Sequence, residues 1–174
     1  MALIGLGSNL RDRLGMLAAA VRAVREFPRT RVVRVSGVYR TSPVGNRSQP
    51  WFYNAAMTVR TSSTAAGLLG RLKRVERALG RKRRARGGAR EIDLDLLLLG
   101  SSVSRRGKVR VPHPRMAGRR FVLAPASEVA PGMVHPVAGL TVRGLLARLD
   151  SREKVVRLPA AAQDRFRSLC RQEA

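Results

Sequence analysis

A chain of 174 residues with an apolar fraction of 44% is long enough for one domain around one hydrophobic core and too apolar for intrinsic disorder. Its 35 Lys and Arg against 11 Asp and Glu give a formal net charge of +24, which points to anionic partners: nucleic acid, an anionic membrane surface or small polyphosphates. A single cysteine, Cys170, rules out an intrachain disulfide, no run approaches the roughly 20 apolar residues of a membrane helix, and the start lacks a secretory signal pattern, so a cytoplasmic protein is expected.

In chain order, residues 2–6 read as a short buried strand, punctuated by Gly7-Ser8-Asn9. Leu10, Leu14, Leu17, Val21 and Val24 recur at helical spacing, Asn9 with Asp12 resembles an N-terminal cap with a reaching acid, and Pro28 ends the helix. Val32, Val33, Val35 and Val38 make residues 31–40 a β-branched strand; 41–50 is a polar loop, and 52–60 a second strand. Thr64 caps a helix with Leu68, Leu72, Val75 and Leu79 on one stripe and Gly80 at its C-terminal glycine position. Glu76, close to that stripe, either anchors an arginine of the following loop or sits at the stripe's edge. Residues 81–90 hold Arg81, Lys82, Arg83, Arg84, Arg86 and Arg90 with no acid, and cannot be regular core structure. Residues 92–99 are the clearest strand, ended by Gly100; a loop, a helix from about Arg119, a Pro/Gly-broken segment, a helix over 141–149 and a basic tail follow. The order β-α-β-β-α-β with extra helices is ferredoxin-like: an α+β fold with an antiparallel sheet, in three layers α/β/α. One domain over 1–157 is expected, with 158–174 as a C-terminal tail without assigned role.

Asp93 and Asp95 stand two apart in a strand of Ile and Leu. Alternation places Ile92, Leu94, Leu96 and Leu98 on one face and both carboxylates with Leu97 on the other. Two carboxylates in apolar surroundings need a cation. Oxygen ligands favour a hard ion such as Mg²⁺, held by one or two carboxylates and substrate phosphates. The competing reading is an exposed sheet face paired with arginines. The 81–90 loop offers forked guanidinium donors for phosphate oxygens, or a contact to nucleic acid. A metal-bound nucleotide requires both the carboxylates and the cations. No G-x-x-x-x-G-K-[ST] loop occurs, and Gly5-Leu6-Gly7 is a weak dinucleotide signal because position 10 is Leu10. Phe52 and Asn54 share a strand face and form a platform for a flat heterocycle, with core packing as the alternative. Phe121 is open to the same two readings. His113, between Pro112 and Pro114, suits a phosphate contact or a proton relay, or decorates a loop.

Taken in order, Leu6-Gly7-Ser8-Asn9-Leu10, Tyr39-Arg40-Thr41-Ser42-Pro43, Gln49-Pro50-Trp51-Phe52-Tyr53-Asn54-Ala55, Arg90-Glu91-Ile92-Asp93-Leu94-Asp95, Val111-Pro112-His113-Pro114-Arg115 and Arg119-Arg120-Phe121-Val122-Leu123 resemble the 6-hydroxymethyl-7,8-dihydropterin pyrophosphokinase family over about residues 1–149. The resemblance implies transfer of pyrophosphate from ATP to the pterin alcohol, a step of folate biosynthesis, by a monomer that binds no nucleic acid. It implies two Mg²⁺ ions on Asp93 and Asp95, and catalytic roles for those two residues with Arg81 and Arg90. ATP would be held by Lys73, Arg81, Arg83, Arg90, Leu96, Lys108, Arg110, His113 and Arg119. The pterin would meet Thr41, Pro43, Val44, Phe52, Asn54, Asp93 and Phe121. One departure is Gly87-Gly88-Ala89-Arg90-Glu91, where the family usually has an aromatic residue, Gly, Pro, Arg and Thr; Glu91 adds a negative charge beside the pair. The alternatives are an inactive relative and a nucleic-acid-binding ferredoxin-like domain. The latter lacks a Lys/Arg-Gly-aromatic strand motif here.

Overall fold

The computed structural model describes residues 1–43, 48–82, 88–105, 107 and 109–172. Its elements are β1 (Ala2–Ser8), α1 (Arg13–Arg25), β2 (Thr30–Val35), β3 (Tyr39–Thr41), β4 (Phe52–Thr61), α2 (Ala65–Ala78), β5 (Asp93–Leu99), α3 (Arg120–Val129), β6 (Val134–His135), β7 (Leu140–Thr141), α4 (Val142–Arg148), β8 (Val155–Arg157) and α5 (Ala160–Arg171). The main sheet runs β5-β1-β4-β3-β8, with β2 on the far part of β4, and every pairing is antiparallel. This is the expected ferredoxin-like arrangement.

Strand alternation sorts the two faces. Ala2, Ile4, Leu6, Ala55, Met57, Leu94 and Leu96 bury against α1, α2 and α5. Leu3, Ala56, Leu97 and Leu98 bury against α3 and α4, completing three layers. The second pair of helices covers only part of its face, and the uncovered part carries Gly5, Gly7, Asn54, Asp93 and Asp95. Leu98 departs from simple alternation. A register shift between Leu3 and Ile4 lets Leu98 pair with Leu3 while Leu96 pairs with Ile4, so Leu98 turns to the α3/α4 side.

Three further expectations change on folding. Asn9 does not cap α1; Asp12 does, accepting the Gly15 amide at 3.2 Å, while Asn9 is buried and clamps two loops. Its Nδ2 donates to Gln49 Oε1 and the Pro50 carbonyl, and its Oδ1 accepts from the Arg90 amide. The helix ends at Arg25 with Glu26 as its C-cap, before Pro28 is reached. The single strand over 31–40 is two strands. Between them Gly37 donates its amide to Glu128 Oε2, and the buried Gln163 side chain bonds both the amide and the carbonyl of Val38 at 2.9 Å. Side chains from α3 and α5 therefore replace the ladder where β2 gives way to β3. Thr64 and Gly80 behave as read: Thr64 Oγ1 accepts the Gly67 amide, and Gly80 takes φ +82° just past the end of α2.

The basic tail forms β8 and α5. Gln163, Phe166 and Cys170 recur at helical spacing and are buried; Phe166 and Cys170 join the core under α1, while Arg22 and Arg25 donate to the last carbonyls of α5. Burial pushes the Cys170 thiol up to about 11, which makes it an apolar filler. Gln163→Ala leaves the buried Val38 amide without an acceptor and the Leu158 carbonyl without its Gln163 donor, while the Val38 carbonyl keeps the Leu158 amide at 2.9 Å. It is expected to cost about 2 kcal/mol in chemical denaturation, whereas a change below about 0.5 kcal/mol would show that water or neighbouring backbone takes over.

Candidate active site

The open part of the sheet face and the loops above it enclose a cavity of about 620 Å³. Its floor exists because β1 is glycine-rich there. A Cβ on Gly7 would stand 2.8 Å from Asn54 Oδ1, and one on Gly5 would stand 3.3 Å from the Leu97 side chain. The Gly5-Leu6-Gly7 run thus clears space for side chains of the neighbouring strands.

Asp93 and Asp95 project from β5 into this cavity, as alternation requires. Their charges are treated unequally. Asp93 Oδ1 lies 2.6 Å from Arg81 Nη1, Oδ2 pairs with Arg90, and Lys73 Nζ approaches to 4.0 Å. Burial pushes its carboxyl up, but Arg90, Arg81 and Lys73 together outweigh burial and hold it below the usual carboxylate range. Asp95 has weaker help: Lys73 Nζ at 3.8 Å and His113 Nε2 at 4.0 Å. Burial first, and then the charge of Asp93, raise its carboxyl above the ordinary value.

Glu76 builds this cluster. It is buried, and its Oε1 accepts from the Leu94 amide on the open edge of β5 at 2.7 Å, from Lys73 Nζ at 2.7 Å, and lies 2.6 Å from Arg81 Nη1. Lys73 also donates to the Leu94 carbonyl at 2.8 Å. One turn of α2 therefore docks the edge strand and sets two cations beside the carboxylates, which decides the open reading of Glu76 in favour of an arginine anchor. Burial opposes the charge of Arg81, yet Asp93 and Glu76 outweigh it and raise its affinity for the proton. Glu91 is buried as well; its Oε2 accepts from the Lys82 amide at 3.4 Å, and it is not among the lining residues.

The other walls are cationic and aromatic. His113 is fixed by its amide to the Leu97 carbonyl at 2.9 Å, and its Nδ1 accepts from the Arg115 amide at 3.3 Å, which leaves Nε2 as the N–H facing Asp95. Burial lowers the proton affinity of His113 against the pull of Asp95. Arg119 is lowered by burial and by Arg115, and its guanidinium sits 5.4 Å from the centre of the Phe121 ring. Phe52 and Phe121 both line the cavity; Asn54 lies between strands with its Nδ2 donating to Thr41 Oγ1 at 2.7 Å, which turns its acceptor oxygen toward Gly7.

The structure thus brings together Lys73, Arg81, Arg90, Asp93, Asp95, His113, Arg119, Thr41, Phe52, Asn54 and Phe121 in one cavity. Leu96 puts its side chain into the core under α1 and α2, so its peptide groups are what it can offer a nucleotide. Arg110 is exposed, and neither it nor Pro43 lines the cavity. Val44, Arg83, Gly87 and Lys108 lie outside the described residues. Gln49, Ser42, Lys82 and Arg115 also line the cavity; Lys82 belongs to the basic 81–90 loop and Ser42 to the loop that the family pattern sets against the pterin, while Gln49 and Arg115 carried no role of their own in the sequence reading, and the basic character of Arg115, next to His113, was the available signal.

Among the described residues no group of three or more His, Cys, Asp and Glu forms a metal cage. A cation on Asp93 and Asp95 would need further oxygens from a substrate. That donor set suits Mg²⁺ arriving with phosphates, whose charge would offset the repulsion between Asp95 and Asp93. No helix among the described residues is long and apolar enough to cross a membrane.

Residues 3–131 match the family model described as 7,8-dihydro-6-hydroxymethylpterin-pyrophosphokinase. The chain is similar to the 2-amino-4-hydroxy-6-hydroxymethyldihydropteridine pyrophosphokinase of Methylorubrum extorquens, 44% identical over 86% of this chain and 93% of that protein. It is also similar to the enzyme of the same name from Pseudomonas aeruginosa, 37% identical over 91% of this chain and 96% of that one. A crystal structure of Plasmodium falciparum HPPK-DHPS with pterin and p-hydroxybenzoate superposes with a TM-score of 0.66 at 15% identity, over 84% of this chain. This likeness shows the shared fold; the chain spans only 41% of that larger protein. With three quarters of its length under the family model and near-full-length relatives above a third identical, the chain belongs to the 7,8-dihydro-6-hydroxymethylpterin-pyrophosphokinase family.

Proposed function

We propose that the chain transfers a pyrophosphate group from ATP to 6-hydroxymethyl-7,8-dihydropterin, giving AMP and the pterin diphosphate, a step of folate synthesis, in the cavity over Asp93 and Asp95. The observation that carries the reading is the pairing of two half-buried, unequally neutralised carboxylates with a ring of cations beside an aromatic wall. The pterin hydroxymethyl oxygen forms a bond to the β-phosphorus while the bond from that phosphorus to the α-β bridging oxygen breaks. Such transfer needs positioning and charge neutralisation more than covalent chemistry from the protein.

Two Mg²⁺ ions, held by Asp93 and Asp95, would supply charge neutralisation of the triphosphate and polarise the attacking hydroxyl. Arg81 and Arg90, already in the site as partners of Asp93, exchange part of that pairing for phosphate oxygens. Lys73, His113 and Arg119 add donors around the same phosphates, and His113 presents its Nε2 proton. Arg83, Lys108, Arg110 and the peptide groups of Leu96 complete the nucleotide contacts on the family pattern. Phe52 and Phe121 stack the pterin. Asn54, held by Thr41, reads its edge, and on the family pattern Pro43 and Val44 would add contacts to the pterin. The protein acts as a cytoplasmic monomer, and its basic surface serves no nucleic acid, because Asp93 and Asp95 on the open sheet face repel a phosphate backbone that brings no metal.

The test is a product assay: the purified protein with ATP, dihydropterin and Mg²⁺ releases AMP, and omission of the pterin or chelation of the metal stops it. Release of ADP, or salt-sensitive RNA binding with no AMP, overturns the reading. Phe121→Ala is expected to raise the pterin KM about tenfold or more, as loss of one stacking face costs roughly 1–3 kcal/mol, with the ATP KM changed by less than about twofold. Equal losses for both substrates would remove the stacking role.

A further inference from the structure

The start of α3 carries Arg119 and Phe121 into the cavity, yet it has no cap of its own. Asp12, Thr64 and Thr141 cap α1, α2 and α4 with their own side-chain oxygens. Arg119, in the capping position of α3, makes no side-chain cap bond and has no acceptor to make one with. The first turn of α3 contains no acid either. The Phe121 amide is instead taken by Glu153 Oε2 at 3.1 Å, from a residue 32 positions later in the chain. A carboxylate there satisfies an orphan donor and complements the positive end of the helix.

The segment holding Glu153 is fixed in turn. The Glu153 amide donates to Ser151 Oγ. The next residue, Lys154, exchanges two bonds with Ser42: its amide donates to Ser42 Oγ at 3.2 Å, and its carbonyl accepts the Ser42 amide at 3.0 Å. Then β8 continues the sheet on β3, pairing Val155 with Thr41. Ser42 lines the cavity, and Thr41 holds the Asn54 amide. Two adjacent residues near the C-terminus therefore grip the site at two points, the aromatic start of α3 and the loop edge that sets Asn54.

We infer that Glu153 is a positioning residue for pterin binding: it caps α3 across the fold and thereby fixes the Phe121 ring at the height of the pocket set by Thr41 and Asn54. The inference rests on the proposed stacking of the pterin on Phe121. Glu153 itself is outside the cavity lining, so it acts through Phe121 and not on the substrate.

The experiment compares Glu153→Ala, Glu153→Gln and wild type by steady-state kinetics and by amide hydrogen exchange. Glu153→Ala is expected to raise the pterin KM about tenfold, the scale of a lost helix cap, with kcat and the ATP KM within about twofold. The Phe121 amide is expected to exchange faster in that variant. Glu153→Gln keeps an acceptor oxygen and is expected to restore most of both properties. Should Glu153→Ala not fold, Glu153→Asp withdraws the carboxylate by one methylene and is expected to show part of the same pterin-selective rise. Unchanged pterin KM, equal changes for both substrates, or unchanged exchange at Phe121 overturns the role. Wild-type protein that makes no pterin diphosphate refutes the function reading instead, and the exchange of the Phe121 amide still decides whether Glu153 caps α3.

Discussion

Asp95→Asn is expected to lower turnover about a thousandfold or more, since it removes an anionic oxygen from the site where several kcal/mol of transition-state stabilisation is assembled. The same substitution is expected to leave the fold intact and to raise its thermal stability at neutral pH. The sign follows from the raised carboxyl of Asp95, for which burial and the neighbouring Asp93 are responsible. A carboxyl that holds its proton more tightly folded than unfolded makes stability fall as pH rises through the interval between the two values. Above that interval the ionised carboxylate is a full penalty, which Asn lacks; below the ordinary carboxylate range both forms are neutral and the gain disappears. Asp93→Asn is expected to match the loss in turnover without the gain in stability, because Arg90, Arg81 and Lys73 hold its carboxyl below the usual range. Thermal melts between acid and neutral pH, alongside AMP release, check both. Near-normal turnover in either variant removes the metal assignment, and a loss of stability in Asp95→Asn contradicts the unequal electrostatics.

Glu76→Ala should give the largest effect on stability. Its carboxylate is buried and serves the Leu94 amide, Lys73 and Arg81 together. Truncation leaves a buried amide without an acceptor and two cations facing each other. The combined cost is about 3 kcal/mol, roughly 10 °C in Tm for a chain of this size. Glu76→Gln keeps the acceptor for Leu94 and should lose less. Turnover should fall in both, since Arg81 loses the partner that aims it at Asp93. Denaturation and kinetics on the two variants separate the contributions. A Glu76→Ala protein as stable as wild type would show that the edge of β5 is held by packing alone.

Much of this site was legible because its signals are local. The pair at 93 and 95 needs only the two-residue period of a strand to share a face, and the cationic run before it needs only composition. The cap of α2 by Thr64 and the turn at Gly80 are equally local. The failures are tertiary. Leu98 changes face because β1 and β5 pair with a shift that no single strand encodes. Asn9 has the composition of a cap, but the Arg90 and Gln49-Pro50 segments compete for its amide and win. The valine-rich run 31–40 looks continuous until Gln163 and Glu128 arrive from other helices to satisfy its middle. The tail read as merely basic because its apolar positions, Phe166 and Cys170, are few and its Gln163 buries a polar group. Glu153 gave no signal at all; its meaning depends on a helix start 32 residues earlier in the chain.

The family also leaves the +24 charge without a task. Part of it is internal, in the pairs of Arg81, Arg90 and Lys73 with the carboxylates and in Arg22 and Arg25 at the end of α5. Other arginines have partners away from the site, such as Arg13 with the Trp51 carbonyl and the Tyr53 ring, Arg71 with Ser63, and Arg157 with Glu128.

Calorimetric titration of a non-hydrolysable ATP analogue, with and without Mg²⁺, into wild type and the Asp93→Asn/Asp95→Asn double variant isolates the role of the two carboxylates from that of the surrounding cations. Wild type is expected to bind at least about tenfold more tightly when the metal is present, and the double variant to show no such difference. The same metal-driven tightening in both proteins would contradict the assignment of the ion to this strand face.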